Sequence, residues 1–326
     1  MFEQPRFIGI GQMKAATGWL YSHLSTHPDV WMPIKKELHF FNSGFHFGST
    51  RRMFRAFLME QAEDTLFADE LISSSRLWRN QICGQDQTEA LKDRLQCDFH
   101  FFSRALLSAE AMNLEHSSRG KTPDSRLVQR DFAWYSSLFP EDWGLTGEIT
   151  PAYATLERGD LLRIRRTFPS TKFILNLRNP VSRAMSHLNH MLRSKDDGAD
   201  PADKAVQMRT LDTTPDIIRK SRVTGLRTTW FDLFTEDRLL VNFFDDIVAH
   251  PDTVLTKVAG FLGIAPDRFQ QPADHNPKSQ YQKFDIHPEV KTRLEEILHK
   301  EVVEFDTIRN STRYGRWRRR GRTNET

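Results

Sequence analysis

The sequence predicts an α/β fold: three layers, α/β/α, around a mostly parallel central sheet, with a helical insert. Three observations carry this. Short apolar runs bounded by turn residues alternate with stretches of helical periodicity, the pattern of parallel strands joined by crossover helices. The best of these runs are continuously apolar, as befits strands buried on both faces. The chain has 326 residues, enough for one large α/β domain or a domain with an insert, and its 24 Phe and 7 Trp argue against disorder.

The most informative stretch comes first. Phe7 to Ile10 reads as a short buried strand, followed by a tight loop holding Gly11, Lys14 and Thr17. A helix follows, with Trp19, Leu20 and Leu24 at helical spacing. A strand feeding a glycine-containing loop and a helix N-terminus builds an anion site, because the first-turn amides lack intrahelical partners and the helix dipole favours negative charge. Lys14 adds a cation and Thr17 a hydroxyl donor. Taken alone, the stretch also suits an ordinary strand-to-helix turn.

His27-Pro28 ends that helix, since proline restricts the residue before it. Val30 to Met32 can form a second strand. Lys35, Lys36, Glu37 and His39 then precede Phe40-Phe41. In an extended segment Glu37 and His39 project to one face. A carboxylate held ionised by lysines, beside an imidazole, is a workable general-base pair; in isolation the run equally reads as a solvated charged loop.

Residues 43–130 differ from their surroundings. Helical pattern covers 51–61, 88–95 and 101–114, and turn-forming residues fill 115–125. The region reads as a mostly helical insert within one domain, residues 1–312, rather than as a separate domain. Its Phe45, Phe47, Phe54 and Phe57 suit helix packing or an apolar pocket, and Arg51, Arg52 and Arg55 suit a solvated face or an acidic acceptor.

Phe132 to Phe139 is a short helix. Leu145 to Tyr153 is strand-like up to Pro151, and its Glu148, Thr150 and Tyr153 suit a cleft-facing set and equally the ordinary polar residues of a strand end. Asp160 to Phe168 is helical, and Thr171 to Leu177 is a central strand. Arg178-Asn-Pro-Val-Ser-Arg-Ala-Met-Ser186 follows directly. Pro180 suits a first helical turn, and Arg178 stands at a strand's carboxyl end, where open α/β sheets bind ligands. Arginine is the preferred fork for phosphate oxygens. Arg183, Ser186 and His190 lie about a turn apart, with His187 beside them. Val223 to Phe234 reads as a helix, Arg238 to Asp246 as another core strand, and a helix through Val254, Val258 and Phe261 stops at Gly263. Residues 270–282 form a polar loop before a last helix, Glu289 to Val303.

The totals exclude several classes. Net charge is +3, but six arginines crowd into 313–322, so the rest of the chain stands at about −3 and is no basic nucleic-acid binder. Residues 313–326 read as a basic, solubilising tail. Cys83 and Cys97 are the two cysteines, without Cys-x-x-Cys, which points to free thiols rather than a disulfide framework or structural zinc. With no apolar run near ~18 residues and a strand beginning so early, the expectation is a cytoplasmic protein with neither membrane span nor signal peptide. Oligomeric state is not legible.

Three runs, in order, resemble the sulfotransferases that use 3′-phosphoadenosine 5′-phosphosulfate (PAPS). Gly11-Gln-Met-Lys-Ala-Ala-Thr-Gly-Trp-Leu20 is similar to their 5′-phosphosulfate loop, and Leu177 to Ser186 to their 3′-phosphate motif. Lys35-Lys-Glu-Leu-His-Phe-Phe41 is similar to the Lys-Glu-x-His-Phe-Phe run of the heparan-sulfate branch and its bacterial relatives. Gly147 to Tyr153 and Phe243 to Ile247 fall where that family has similar runs. The resemblance covers 6–42 and about 131–264. It implies a P-loop-like fold and sulfonate transfer without a metal to a small-molecule or glycan acceptor, releasing 3′,5′-phosphoadenosine (PAP).

Residue by residue, the resemblance implies that Lys14 contacts the bridging oxygen and that Ala15, Ala16, Thr17 and Gly18, after Gly11, bind the 5′-phosphate. Trp19 would stack on adenine, and Arg178 and Ser186 would hold the 3′-phosphate. Glu37 would be the base with His39 beside it, leaving Lys36, Glu148 and Tyr153 as acceptor-site candidates. Two positions depart from the family: Ala16 replaces a glycine, and Gly18 a Thr/Ser. The alternatives are a P-loop nucleotide kinase or triphosphatase, disfavoured because Lys14 comes early in the loop, and a non-catalytic nucleotide-binding relative.

Overall fold

The computed structural model describes residues 2–42, 101, 132–194, 198–272 and 283–311. The predicted insert at 43–130 apart from Phe101, the two cysteines, most of the 270–282 loop and the basic tail lie outside them.

Five strands, β1 (Phe7–Gly11), β2 (Val30–Trp31), β3 (Leu145–Ile149), β4 (Lys172–Leu177) and β5 (Leu239–Phe243), form one sheet in the order β2-β3-β1-β4-β5. Every neighbouring pair is parallel, with Phe7 opposite Gly147 and Lys172, and Asn176 opposite Asn242. Period-two alternation sends side chains to two cores. Ile8, Ile10, Phe173, Leu175, Leu177, Leu239, Val241 and Phe243 go to one. Phe7, Ile149, Ile174 and Leu240 go to the other.

The first core is closed by α2 (Phe132–Ser137), α3 (Arg158–Thr167), a helical segment with a π-turn at Arg227–Phe231, and the end of the last helix through Phe305 and Ile308. The second is closed by α1 (Thr17–Thr26) and α8 (Pro251–Leu262). A side cluster joins α4 (Pro180–Arg193), α5 (Lys204–Thr213), the short α6 (Asp216–Arg219) and α9 (Pro288–Asn310). Helices on both faces of a parallel sheet give the predicted three layers.

Three boundaries differ from expectation. β5 ends at Phe243 and the chain turns at once into α7 (Phe244–Ala249), because Asp245 and Asp246 suit a helix's first turn. β3 ends at Ile149, and Pro151–Thr155 form a 3-10 turn. α9 runs to Asn310, beyond the predicted Val303, since Phe305 and Ile308 bury against the sheet.

Order and direction together place the site. β1 lies between β3 and β4, and the chain builds β2 and β3 on one side before crossing to β4 on the other. That is a topological switch point, where open parallel sheets leave a crevice at their carboxyl ends.

Candidate active site

Two short segments meet at that crevice. One is the loop from Gly11 to α1; the other runs from Lys35 to Asn42. The non-glycine residues with positive φ among the described residues are Lys14 (67°), Ala16 (60°), Glu37 (63°) and His39 (59°), two in each segment. Such conformations are costly for residues with a Cβ and collect where function needs them.

Gly11 is required by both geometry and space. Its φ is 143°, and a Cβ there would sit 2.7 Å from both the Ala154 Cβ and the Pro151 carbonyl oxygen. This close approach seats the loop against the turn after β3. Ala16, at the N-cap of α1, has no side-chain cap to offer, and the first turn carries no acid. A Cβ on Gly18 would meet nothing within 4 Å, so steric room does not explain that glycine.

Two arginines hold the loop from α4's side. Arg178 Nη1 donates to the Lys14 carbonyl at 2.9 Å, and its guanidinium lies 4.1 Å from the centre of the Phe244 ring. Its Nε is buried without a partner among the described residues. Arg183, fully buried, donates from Nε to the Met13 carbonyl at 3.1 Å. Its other nitrogens donate to the Ile217 carbonyl, the Ser221 hydroxyl and His187 Nδ1, each at 2.9 Å. Burial, with Arg183 beside it, pushes His187 down to about 3, so the ring is neutral and accepts. Arg183 is thus a brace. Its spacing to His187 was visible in sequence, but its direction was not. Asn179 caps α4 by accepting from the Val181 and Ser182 amides, and Gln12 accepts from the Arg178 amide. Sequence reading overlooked both. Ser186 lies half-buried further along α4.

Lys14 stands among cations. Burial, then Arg193 and Arg183, lower its ammonium to about 8, against a smaller opposing pull from Glu37. An anion bound there would relieve that repulsion.

Glu37 and His39 do meet, though not as an extended pair. Left-handed φ at both turns the segment back on itself, bringing His39 Nε2 within 3.5 Å of Glu37 Oε2. Lys36 Nζ donates to Glu37 Oε1 at 2.9 Å. Burial raises the Glu37 carboxyl, but the His39 contact and the Lys36 charge outweigh it and hold the group at about 2. His39 is raised above the ordinary histidine value, chiefly by Glu37.

The other expected site residues land elsewhere. Glu148 and Tyr153, read as cleft-facing, are each 1% exposed. The carboxylate accepts from the hydroxyls of Tyr135 (2.6 Å), Thr150 (2.7 Å) and Tyr153 (3.1 Å). Alternation along β3 turned Glu148 inward, and the 3-10 turn after the strand brought Tyr153 back onto it, a choice that polar identity could not reveal. Trp19 is 4% exposed, packed in the second core with its ring 4.7 Å from His23. A ring so enclosed has no open face for an adenine unless neighbours move.

Comparison with known proteins accords with this arrangement. Residues 5–268 match the Sulfotransferase family. Heparan sulfate glucosamine 3-O-sulfotransferase 6 of Homo sapiens is 31% identical over 170 residues, covering 50% of this chain and 49% of that protein. The Mus musculus protein of the same name is 30% identical over the same coverage. The chain therefore spans about half the length of the curated relatives it matches. A sulfotransferase from Alicyclobacillus acidocaldarius has a similar fold, with a TM-score of 0.52 at 20% identity over 93% of this chain and 95% of that one. Among the described residues no helix is long and apolar enough to cross a membrane. With a glycine-containing strand-to-helix loop at the switch point of a parallel sheet and a family match over most of its length, the chain belongs to the sulfotransferase family.

Proposed function

We propose that this enzyme moves a sulfonate group from PAPS to a hydroxyl or amine of a small-molecule or glycan acceptor, with Glu37 and His39 on the acceptor side and Lys14 on the donor side. One observation carries the reading: the cationic loop around Lys14 and the Glu37–His39 pair are brought to one crevice by strained backbone in both. Family membership argues against the kinase alternative, and transfer of sulfonate by the purified protein separates the enzyme from a non-catalytic relative.

The residues fit a doubly phosphorylated donor. α1 begins with neither a side-chain cap nor an acid, leaving its amides to an anion. Arg178 holds a buried Nε in reserve. Bound there, PAPS would supply the sulfonate. The amides of Ala16, Thr17 and Gly18 and the Thr17 hydroxyl would hold the 5′-phosphate, joined by the Ala15 amide once it leaves the Gln12 carbonyl it bonds at 3.2 Å, and Arg178 with Ser186 the 3′-phosphate. Lys14 would stabilise negative charge where it develops. Glu37 would take the acceptor proton; at about 2 its carboxylate is ionised but a poor base while His39 carries a charge beside it. Loss of the His39 proton makes Glu37 more basic, so the two act as one unit. Residues 1–312 are read as one catalytic unit, with acceptor choice assigned to 43–130. The heparan-sulfate name of the relatives favours a glycan, without deciding between O- and N-sulfation.

The test uses PAP as the probe. Lys14→Ala and Arg178→Ala should each weaken PAP binding by about tenfold or more, the scale of a lost charged hydrogen bond. Glu37→Ala should keep PAP affinity and lose transfer, followed by mass spectrometry of glycan and small-molecule extracts with ³⁴S-labelled donor. Undiminished PAP affinity in both cation variants would sink the donor-site assignment. Normal turnover in Glu37→Ala would remove it as the base.

A further inference from the structure

The segment carrying Glu37 and His39 has no regular secondary structure, yet both residues stand in left-handed backbone. Something outside the segment must hold it there. Its backbone amides show what. The Glu37 amide donates to the Ile149 carbonyl at 3.2 Å. The Leu38 amide reaches Glu148 Oε2 at 3.4 Å, and the His39 amide reaches the Thr150 hydroxyl at 3.5 Å. The Phe41 ring packs edge-to-face on Tyr153 with centroids 5.0 Å apart. These contacts come from one short stretch, Glu148 to Tyr153, at the end of β3.

Glu148 sits at the centre of that stretch. Its Oε1 accepts from Tyr135 and Tyr153, and its Oε2 from Thr150 as well as from the Leu38 amide. The Thr150 hydroxyl has one proton; giving it to Glu148 leaves its lone pairs turned to the His39 amide. The Tyr153 hydroxyl likewise donates to Glu148. Burial raises the Glu148 carboxyl, against the pull of the donors around it; ionised, it accepts only, which matches neighbours that all donate. Glutamine would point two N–H donors at groups already donating. The phenols stay protonated, since burial and the nearby carboxylate push both tyrosines well up.

We propose that Glu148 is a positioning residue: from its buried place in β3 it orients Thr150 and Tyr153 and so sets the backbone that brings Glu37 and His39 together. It touches neither donor nor acceptor. The proposal rests on the reading of Glu37 and His39 as the working pair. It also explains why the Glu-x-Thr-x-x-Tyr spacing from Glu148 to Tyr153 accompanies Lys-Glu-x-His in this chain: the two runs are halves of one hydrogen-bonded unit.

The experiment is an NMR titration of the His39 ring in the full chain, with PAP affinity measured alongside. The groups facing that ring are Glu37, Asn42 and, more distantly, Glu148. Thr150→Val is the key variant because it removes the hydroxyl while changing no charge. In the parent protein the His39 midpoint should lie above the ordinary value. In Thr150→Val it should fall back toward that value, and in Thr150→Ser it should recover. PAP affinity should stay within about twofold throughout, because the proposed donor groups lie on the loop after β1 and at α4, away from Thr150. Glu148→Gln should shift His39 in the same direction, though loss of a charge contributes there; if it fails to fold, the threonine pair still decides. An unmoved His39 midpoint in Thr150→Val overturns the proposal. Glu37→Gln is the separate control: a His39 midpoint unchanged in that variant overturns the pairing itself.

Discussion

At the residue scale, Ala16 and Lys14 define how this loop works. Ala16 occupies a left-handed N-cap at φ 60°, where a Cβ costs roughly 1–2 kcal/mol. Glycine would remove that strain but lose roughly 0.4–1 kcal/mol through its freer unfolded chain. Ala16→Gly is therefore expected to stabilise the protein by about 0.5 kcal/mol, read as a raised denaturation midpoint. A clear loss of stability would show that the methyl group packs usefully.

Titration supplies a second residue-scale prediction. The free enzyme should give a bell-shaped kcat/KM profile. Its acid limb should follow His39, whose raised value lies above the ordinary histidine range, and its alkaline limb should follow Lys14 near 8. If Glu37 at about 2 set the acid limb alone, activity would stay flat far into acid. Lys14 also bears on stability. Its folded value lies below the unfolded 10.5, so the buried charge costs stability below about pH 8, and that cost lapses as pH rises from there toward 10.5. Glu37 has the opposite sign: its depressed value contributes stability above pH 4.5 that is lost as pH falls toward 2.

At the scale of elements, α4 serves as a lever arm for the donor loop. Asn179 caps it, Pro180 starts it, and Arg178 and Arg183, on either side of the cap, grip consecutive loop carbonyls at Lys14 and Met13. Asn179→Ala should cost about 1 kcal/mol, the usual value of such a cap. It should also weaken PAP binding although Asn179 is not assigned to the ligand. Denaturant unfolding and calorimetric titration of PAP together check this; lower stability with unchanged affinity would confine Asn179 to the helix. Arg178 and the Lys-Glu-x-His run were legible as candidates because strand ends and charged clusters mark sites in α/β chains. The division between Arg178 and Arg183 was not legible. Both are arginines near a helix start, and only burial separates one with a nitrogen to spare from one wholly engaged.

At the scale of the molecule, assembly depends on close contact between β1 and its neighbours. Gly147 faces Phe7 across the sheet, and a Cβ at 147 would overlap the Phe7 ring. Gly147→Ala should destabilise the protein by roughly 1–3 kcal/mol through overpacking, measured by chemical denaturation. It should loosen both segments of the crevice together, since β1 leads to one and β3 anchors the other. Tolerance of alanine without loss would mean that the ring has room to shift.

Local pattern alone was enough to determine the class of fold, the five strands and the runs that form the crevice. Apolar period and turn residues act over a few neighbours, so they survive being read in a line. The site's inner logic was settled only in three dimensions. Whether Glu148 faced ligand or core depended on which side of β3 the neighbouring helices covered, and Tyr153 followed through the 3-10 turn beyond it. The Glu37–His39 contact came from left-handed backbone held by another strand, rather than from the alternation expected of an extended run. Trp19 was drawn into the core beneath its own loop. Each of these outcomes rests on a partner more than a turn away in sequence or on a neighbouring layer, and burial decides it.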